Sequence, residues 1–458
     1  MSSRQRRRRL ERRRAGARLT VASAGALAVV LGAAPAAEAA GKTYKVTNTS
    51  GSATKTGSLP YVLKEVVSDD ATPASPDVVT FASDVTGSIK LTTPIEVTDS
   101  VYIKGPGARR LTLDFHGDGF RGLYFSGAEN VLVSGLSLDD ASGTELIYAA
   151  HTSLLLYNDT FHDDSDPSNF GTVSSYRGNL KISGCTFDHD YSNRGGALAA
   201  RYDEFALISN STFVDDSAEG FGGAILFYNG SIADLADTTL AGNTVLSAGQ
   251  GSDVYVAKVA LAVHDSILGG SAGPGLVVGS GGSLTPVEYS LIQDAAGITA
   301  GLNTTDITGE SPDLAPLANN GGETNTELPQ IGSPALNAGQ AFELTTDQRG
   351  LARTWKFPGV GDAAGGDGTD IGAAELQPYI TGLKLTKAKA GAKETIHGSG
   401  FDGTKAVYFG KVKAKKFKVL GDNEIIVTVP KGKGKVAITL KSAAGKTKSV
   451  PGGQFHYR

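Results

Sequence analysis

Across 458 residues there is one cysteine, one tryptophan and one methionine. The lone Cys185 excludes an intramolecular disulfide, so core packing and backbone ladders must hold the fold. It stands at a strand-like position inside a repeat, where a buried, inert thiol is expected rather than a nucleophile. Beyond residue 40 no run reaches the ~18 apolar residues of a membrane helix, so no membrane span is expected. His151, His162, His189 and His264 fall one by one at scattered offsets, which argues against a zinc site. No nucleophile, hydrolase or lyase motif appears.

Glycine, by contrast, occurs 60 times, which suits many short strands and tight turns. Residues 1–40 place nine arginines ahead of the apolar stretch Leu19–Leu31 and close on Ala37-Glu38-Ala39. That order is expected of a secretory signal peptide, by the Sec or the twin-arginine route, and predicts a secreted protein. Charge is unevenly divided. With +7 on residues 1–40 and +13 on 381–458, a whole-chain value of −4 leaves −24 on the body between them. The two parts should prefer different partners.

The body repeats itself. Aligned on an apolar residue after Ser or Thr, the anchors are Leu138, Phe161, Phe187, Phe213, Leu240 and Ile267, at steps of 23, 26, 26, 27 and 27. Leu291 is a further candidate anchor. Alternating segments such as Leu154-Leu155-Leu156 and Leu180-Lys181-Ile182 precede them. Gly135, Asn158, Gly184 and Asn210 stand three residues before their anchors and mark a shared left-handed corner. No segment carries the helical periodicity of a leucine-rich repeat. The expected fold is therefore all-β: a right-handed parallel β-helix, one coil per unit, with Phe161, Phe187 and Phe213 stacked inside. A short capping helix from Leu59 to Val67 is expected to close the first coil. The boundaries read as signal peptide 1–40, β-helix with cap 41–300, closing segment 301–377 and a small Ig-like β-sandwich over 378–458.

The Phe-x-x-Asp and Gly-Gly-Ala-Ile coils resemble the repeats of polymorphic outer-membrane-type β-helix proteins, in a pectate-lyase-like solenoid. Where that family carries Asn, this chain has Asp164, Asp190 and Asp216, and only Asn243 matches. The stretch SPDLAPLANNGGETNTELPQIGSPALNAG, with TDQRG and DIGAAE, resembles the choice-of-anchor Q domain of secreted bacterial proteins. That resemblance implies an exported β-helix with a variable surface anchor, although no sorting motif or other anchor signal is recognised. Residues 379–458 are similar to an IPT/TIG domain through PYITGLKLTKAKAGAKETIHGSGF, AVYFG and FHYR.

The recurring acids admit three readings. As Ca²⁺ ligands the set is Asp163, Asp164, Asp190, Asp215 and Asp216, since hard oxygen donors on consecutive coils suit that cation. As a Ca²⁺-dependent polysaccharide lyase or glycosidase, Asp164, Asp190, Asp216 and Arg194 would carry the chemistry. As architecture, each Asp caps the backbone donors of its turn. Architecture is favoured, because the acids recur in every coil whereas catalytic groups are singular. No cofactor is required, and TDQRG reads as a structural salt bridge. Lys411, Lys413, Lys415, Lys416, Lys418, Lys431, Lys433 and Lys435 are either binders of an anionic polymer or guards of strand edges. The chain is expected to be a secreted, cell-wall-associated, non-catalytic and monomeric protein that binds polysaccharide or anionic cell-wall polymer; nucleic acid is a weaker partner.

Overall fold

Apolar residues alternate along each coil because a strand presents successive side chains to opposite faces. Val131 and Val133, Leu154 and Leu156, and Leu180 and Ile182 all point inward and are buried. In this computed structural model, which describes residues 41–67, 75–115, 119–247 and 250–458, that alternation winds into a right-handed parallel β-helix. The expected signal peptide lies outside the described residues.

Three parallel sheets form the walls. The first has ten strands, from Thr43–Val46 to Ser283–Glu288; the second has eight, from Ile95–Val97 to Leu276–Val278. The third has ten, from Gly87–Lys90 to Ile307–Thr308, so coil pairing runs past the boundary read at residue 300. A four-stranded sheet, beginning at Ser165–Phe170, extends the central coils. Helix α1, Leu59–Val67, caps the solenoid and buries Leu59, Val62, Leu63 and Val66. The hydroxyl of Ser58 accepts the Tyr61 N–H at 3.3 Å, which starts that helix.

Single left-handed residues turn the corners. The expected one is present at Gly135, Asn158, Gly184 and Asn210, and it continues at Asp237 and Asp265. A second corner, at His151, Arg177, Tyr202 and Asn229, and a third, at Asp140, Asp163, His189 and Asp215, give each central coil three such turns.

The interior stack is as expected in its centre and shifted at its end. Phe161 lies 4.5 Å from Phe187, and Phe187 4.5 Å from Phe213, with planes within 7° and 4°. Leu240, however, pairs with Leu268 and not with Ile267, and Ile292 follows rather than Leu291. The reason lies at Ser266, whose hydroxyl accepts the Thr238 N–H at 3.1 Å. Ser266 is therefore the counterpart of Thr238, and the anchor moves by one residue. Ile267 and Leu291 face outward and pack with Ala335 and Ile371 of the closing segment.

That segment runs as a strap over the outer threonines of the third sheet. Thr186 Oγ1 donates to the Asn325 carbonyl at 2.6 Å, Thr212 Oγ1 donates to Gln348 Oε1 at 2.7 Å, and Ala373 N–H donates to Thr239 Oγ1 at 2.9 Å. The TDQRG pair is a sealed ion pair, Arg349 to Asp347 at 2.7 Å. Arg353, also fully buried, is held by Asp237 and, at 3.2 Å, by Asp265 from two adjacent coils.

The last domain is a mainly antiparallel sandwich, with Lys387–Ala388 paired in parallel to Gln454–Tyr457. One sheet orders Tyr379–Leu383, Lys393–Ser399, Glu424–Thr428 and Phe417–Gly421, and the other is built around Lys435–Ser442. It docks on the strap through Leu336, Phe357, Leu376 and Ala444, and the Trp355 indole donates to the Ala444 carbonyl at 3.1 Å. Among the described residues, no helix is long and apolar enough to cross a membrane.

Candidate functional site

The recurring aspartates divide between inside and outside. Asp164, Asp190 and Asp216 are at most 1% exposed. Their Oδ1 atoms accept the N–H groups of Ala141 at 2.8 Å, Asp164 at 3.0 Å and Asp190 at 2.9 Å. Asn243 continues the ladder by accepting Asp216 N–H at 2.9 Å, and its amide also donates to the Phe213 carbonyl at 3.2 Å. Each aspartate's Oδ2 is buried without a partner. Burial is the main force pushing these three carboxyls well above the usual range, and for Asp164 and Asp216 the charge of Asp190 adds to it. A carboxyl group has the outline of an amide, so the three fill the positions of an Asn ladder.

Asp163 and Asp215 sit instead on an outer left-handed corner, with side chains 62% and 53% exposed. The five carboxylates read as Ca²⁺ ligands therefore do not converge. Arg194 lies apart from the ladder, its guanidinium 5.2 Å from the Phe170 ring and 5.9 Å from Phe221. Asp164, Asp190, Asp216 and Arg194 form no single centre, because three of them are sealed where no external polymer reaches.

A different group of side chains does converge on the surface. Along the second sheet, the rings of Tyr124 and Tyr148 stack at 5.5 Å, with Arg121 over both, at 5.4 and 4.5 Å. Tyr176, Tyr202 and Tyr228 meet edge to face at 5.5 and 6.2 Å. Arg177 lies 5.0 Å from Tyr176 and 5.7 Å from Tyr202, and Lys258 lies 5.7 Å from Tyr228. Arg201 lies 3.9 Å from the Phe170 ring and 5.5 Å from Tyr176. Burial lowers its pKa, and its Nε is without a partner. Rings and cations thus alternate across six coils.

Acids lie beneath this face. Glu145 holds Arg121 at 3.2 Å and is only 3% exposed. Asp166 is raised to about 6 by burial and then by the charge of Glu145, and Asp203 is raised to about 6 by burial. The sequence reading missed the face because it followed one column. The signal was available: Tyr176, Tyr202 and Tyr228 recur at the same step as Phe161, Phe187 and Phe213.

The histidines correct another expectation. His162 and His189 come together with Asp188 between them, at 3.1 Å from His162 Nδ1 and 2.5 Å from His189 Nδ1. The hydrogen bond to Asp188 raises His162 to about 9. Partial burial pushes Asp188 up, but its bonds to the two imidazoles outweigh that and hold it below the usual carboxylate range.

All eight lysines named in the last domain are exposed. Lys418 lies on the edge strand of one sheet and Lys413 on the edge strand of the other. That placement suits edge protection and leaves the positive surface open to an anion.

Residues 94–245 match the family described as the right-handed β-helix region, and residues 378–457 match the IPT/TIG domain. No curated protein matches the chain. The fold is accordingly that of a right-handed β-helix solenoid followed by an IPT/TIG-type sandwich.

Proposed function

We propose that this is a secreted, non-catalytic polysaccharide-binding protein that holds an acidic glycan on the tyrosine–arginine face. One observation carries the reading: partly exposed rings and cationic side chains alternate over successive coils, from Arg121 and Tyr124 to Tyr228 and Lys258, with Arg177, Tyr202 and Lys258 the most open. Aromatic rings offer flat apolar platforms, and guanidinium groups pair with carboxylates in a planar fork. Coils ~4.8 Å apart repeat this chemistry at a fixed interval, so a polymer meets it again at each step. The local cations also offset the repulsion that the acidic body exerts on an acidic chain. The lysines of the last domain add attachment to anionic wall polymer. Glycan cleavage is the rival reading.

Electrophoresis of the full chain through gels containing polygalacturonate, alginate or a neutral glucan tests the proposal. Retardation by the acidic polymers is expected, with free mobility restored in Tyr202→Ala/Arg177→Ala. Retardation by the neutral glucan alone, or an unaffected double variant, rejects it. Shortening of the polymer would transfer support to the rival.

A further inference from the structure

The pairing of His162 with His189 has no part in glycan binding on the other face. Asp188 and His162 are register partners on neighbouring strands of the third sheet, and His189 follows Asp188 at a left-handed corner. Ligand-capable atoms of His162, Asp188 and His189 all lie within 4.8 Å of one another. Asp163 Oδ2 stands 3.1 Å from His162 Nε2, and Asp215 Oδ2 3.9 Å from His189 Nε2.

A second observation comes from the strap. Glu327 is only 8% exposed, and its Oε2 is buried without any partner. Burial, and then the charges of Asp215 and Asp188, raise this carboxyl to about 8, and both aspartates touch the histidines. Thr186, two residues before Asp188, fixes the strap there by donating to the Asn325 carbonyl at 2.6 Å. A buried carboxylate beside two others is costly unless it takes up a proton or a cation lies among them.

We propose that His162, His189, Asp188 and Glu327 form a site for a late first-row divalent metal, of which Zn²⁺ is the representative. Two imidazoles with two carboxylates suit Zn²⁺ and its neighbours, whereas Ca²⁺ takes oxygen donors alone. Both histidines are partly exposed, at 40% and 56%, which leaves their rings room to turn toward a shared ion. The metal joins two coils to the strap and acts as a staple, not a reaction centre.

The test uses the chelator-treated full chain, titrated with Zn²⁺ by calorimetry and with Co²⁺ by absorbance. One tight equivalent is expected, with visible Co²⁺ bands of a nitrogen–oxygen site and a rise in thermal midpoint on Zn²⁺ addition. His162→Gln/His189→Gln, both positions being on the surface, should fold and bind Zn²⁺ at least about 100-fold more weakly. Glu327→Gln should alter the Co²⁺ spectrum. Equal Zn²⁺ affinity in the histidine variant, or wild-type Zn²⁺ binding no tighter than Ca²⁺ binding, overturns the site.

Discussion

The ring of Phe187 lies 4.5 Å from that of Phe213 and only 4° from parallel, inside a wall that leaves both fully buried. Phe161 completes the stack on the other side. Removing the middle ring leaves a cavity between two coils that cannot close on each other. Phe187→Ala is expected to cost about 3–5 kcal/mol, and Phe187→Leu much less. Urea denaturation of both variants, followed by circular dichroism, checks the difference.

Asp190 separates architecture from chemistry in the ladder. Asp190→Asn keeps the Oδ1 acceptor for Asp164 N–H and removes a buried ionisable group, so stability should be kept or raised. Asp190→Ala leaves that N–H buried and unpaired, at about 1–3 kcal/mol. Thermal midpoints at one pH distinguish the two, and equal losses would contradict the ladder role.

Asp253 predicts a pH dependence. Its Oδ1 accepts from Asn243 Nδ2 and Ser271 Oγ, both at 2.9 Å, while its buried Oδ2 has no partner. Burial raises this carboxyl to about 8. The folded chain therefore keeps a proton that the unfolded chain releases near pH 4. The stability contributed by this proton is fully present below about pH 4 and is lost as pH climbs to about 8. Asp253→Asn should remove this carboxyl's share of the slope, gaining a few kcal/mol on the native chain between pH 5 and 9. Urea midpoints at the two pH values measure it.

How much was legible in the residues follows from what a period can say. Phe161, Phe187 and Phe213 announce a coil because identical groups at one step must stack. Gly135, Asn158, Gly184 and Asn210 announce a corner because few residues tolerate a left-handed backbone. Arg177, Tyr202 and His189 take the same conformation and carry no such mark, so two corners out of three were hidden. Asp164 and Asp163 are adjacent in the chain, yet one is sealed and the other exposed, a division set by the left-handed turn at Asp163 itself. His162 and His189 are 27 residues apart, one more than the local step, and only a turning corner restores their contact. Arg353 reaches two coils from a strap whose path no local pattern encodes.

The most direct measurement is calorimetric titration of the full chain with a size-defined acidic oligosaccharide, repeated for Tyr202→Ala and for Arg177→Ala, with product length checked afterwards. Saturable binding, a loss of about tenfold or more in each variant and unshortened sugar are predicted. Absent heat, or variants that bind as the native chain does, would contradict the assignment of the tyrosine–arginine face.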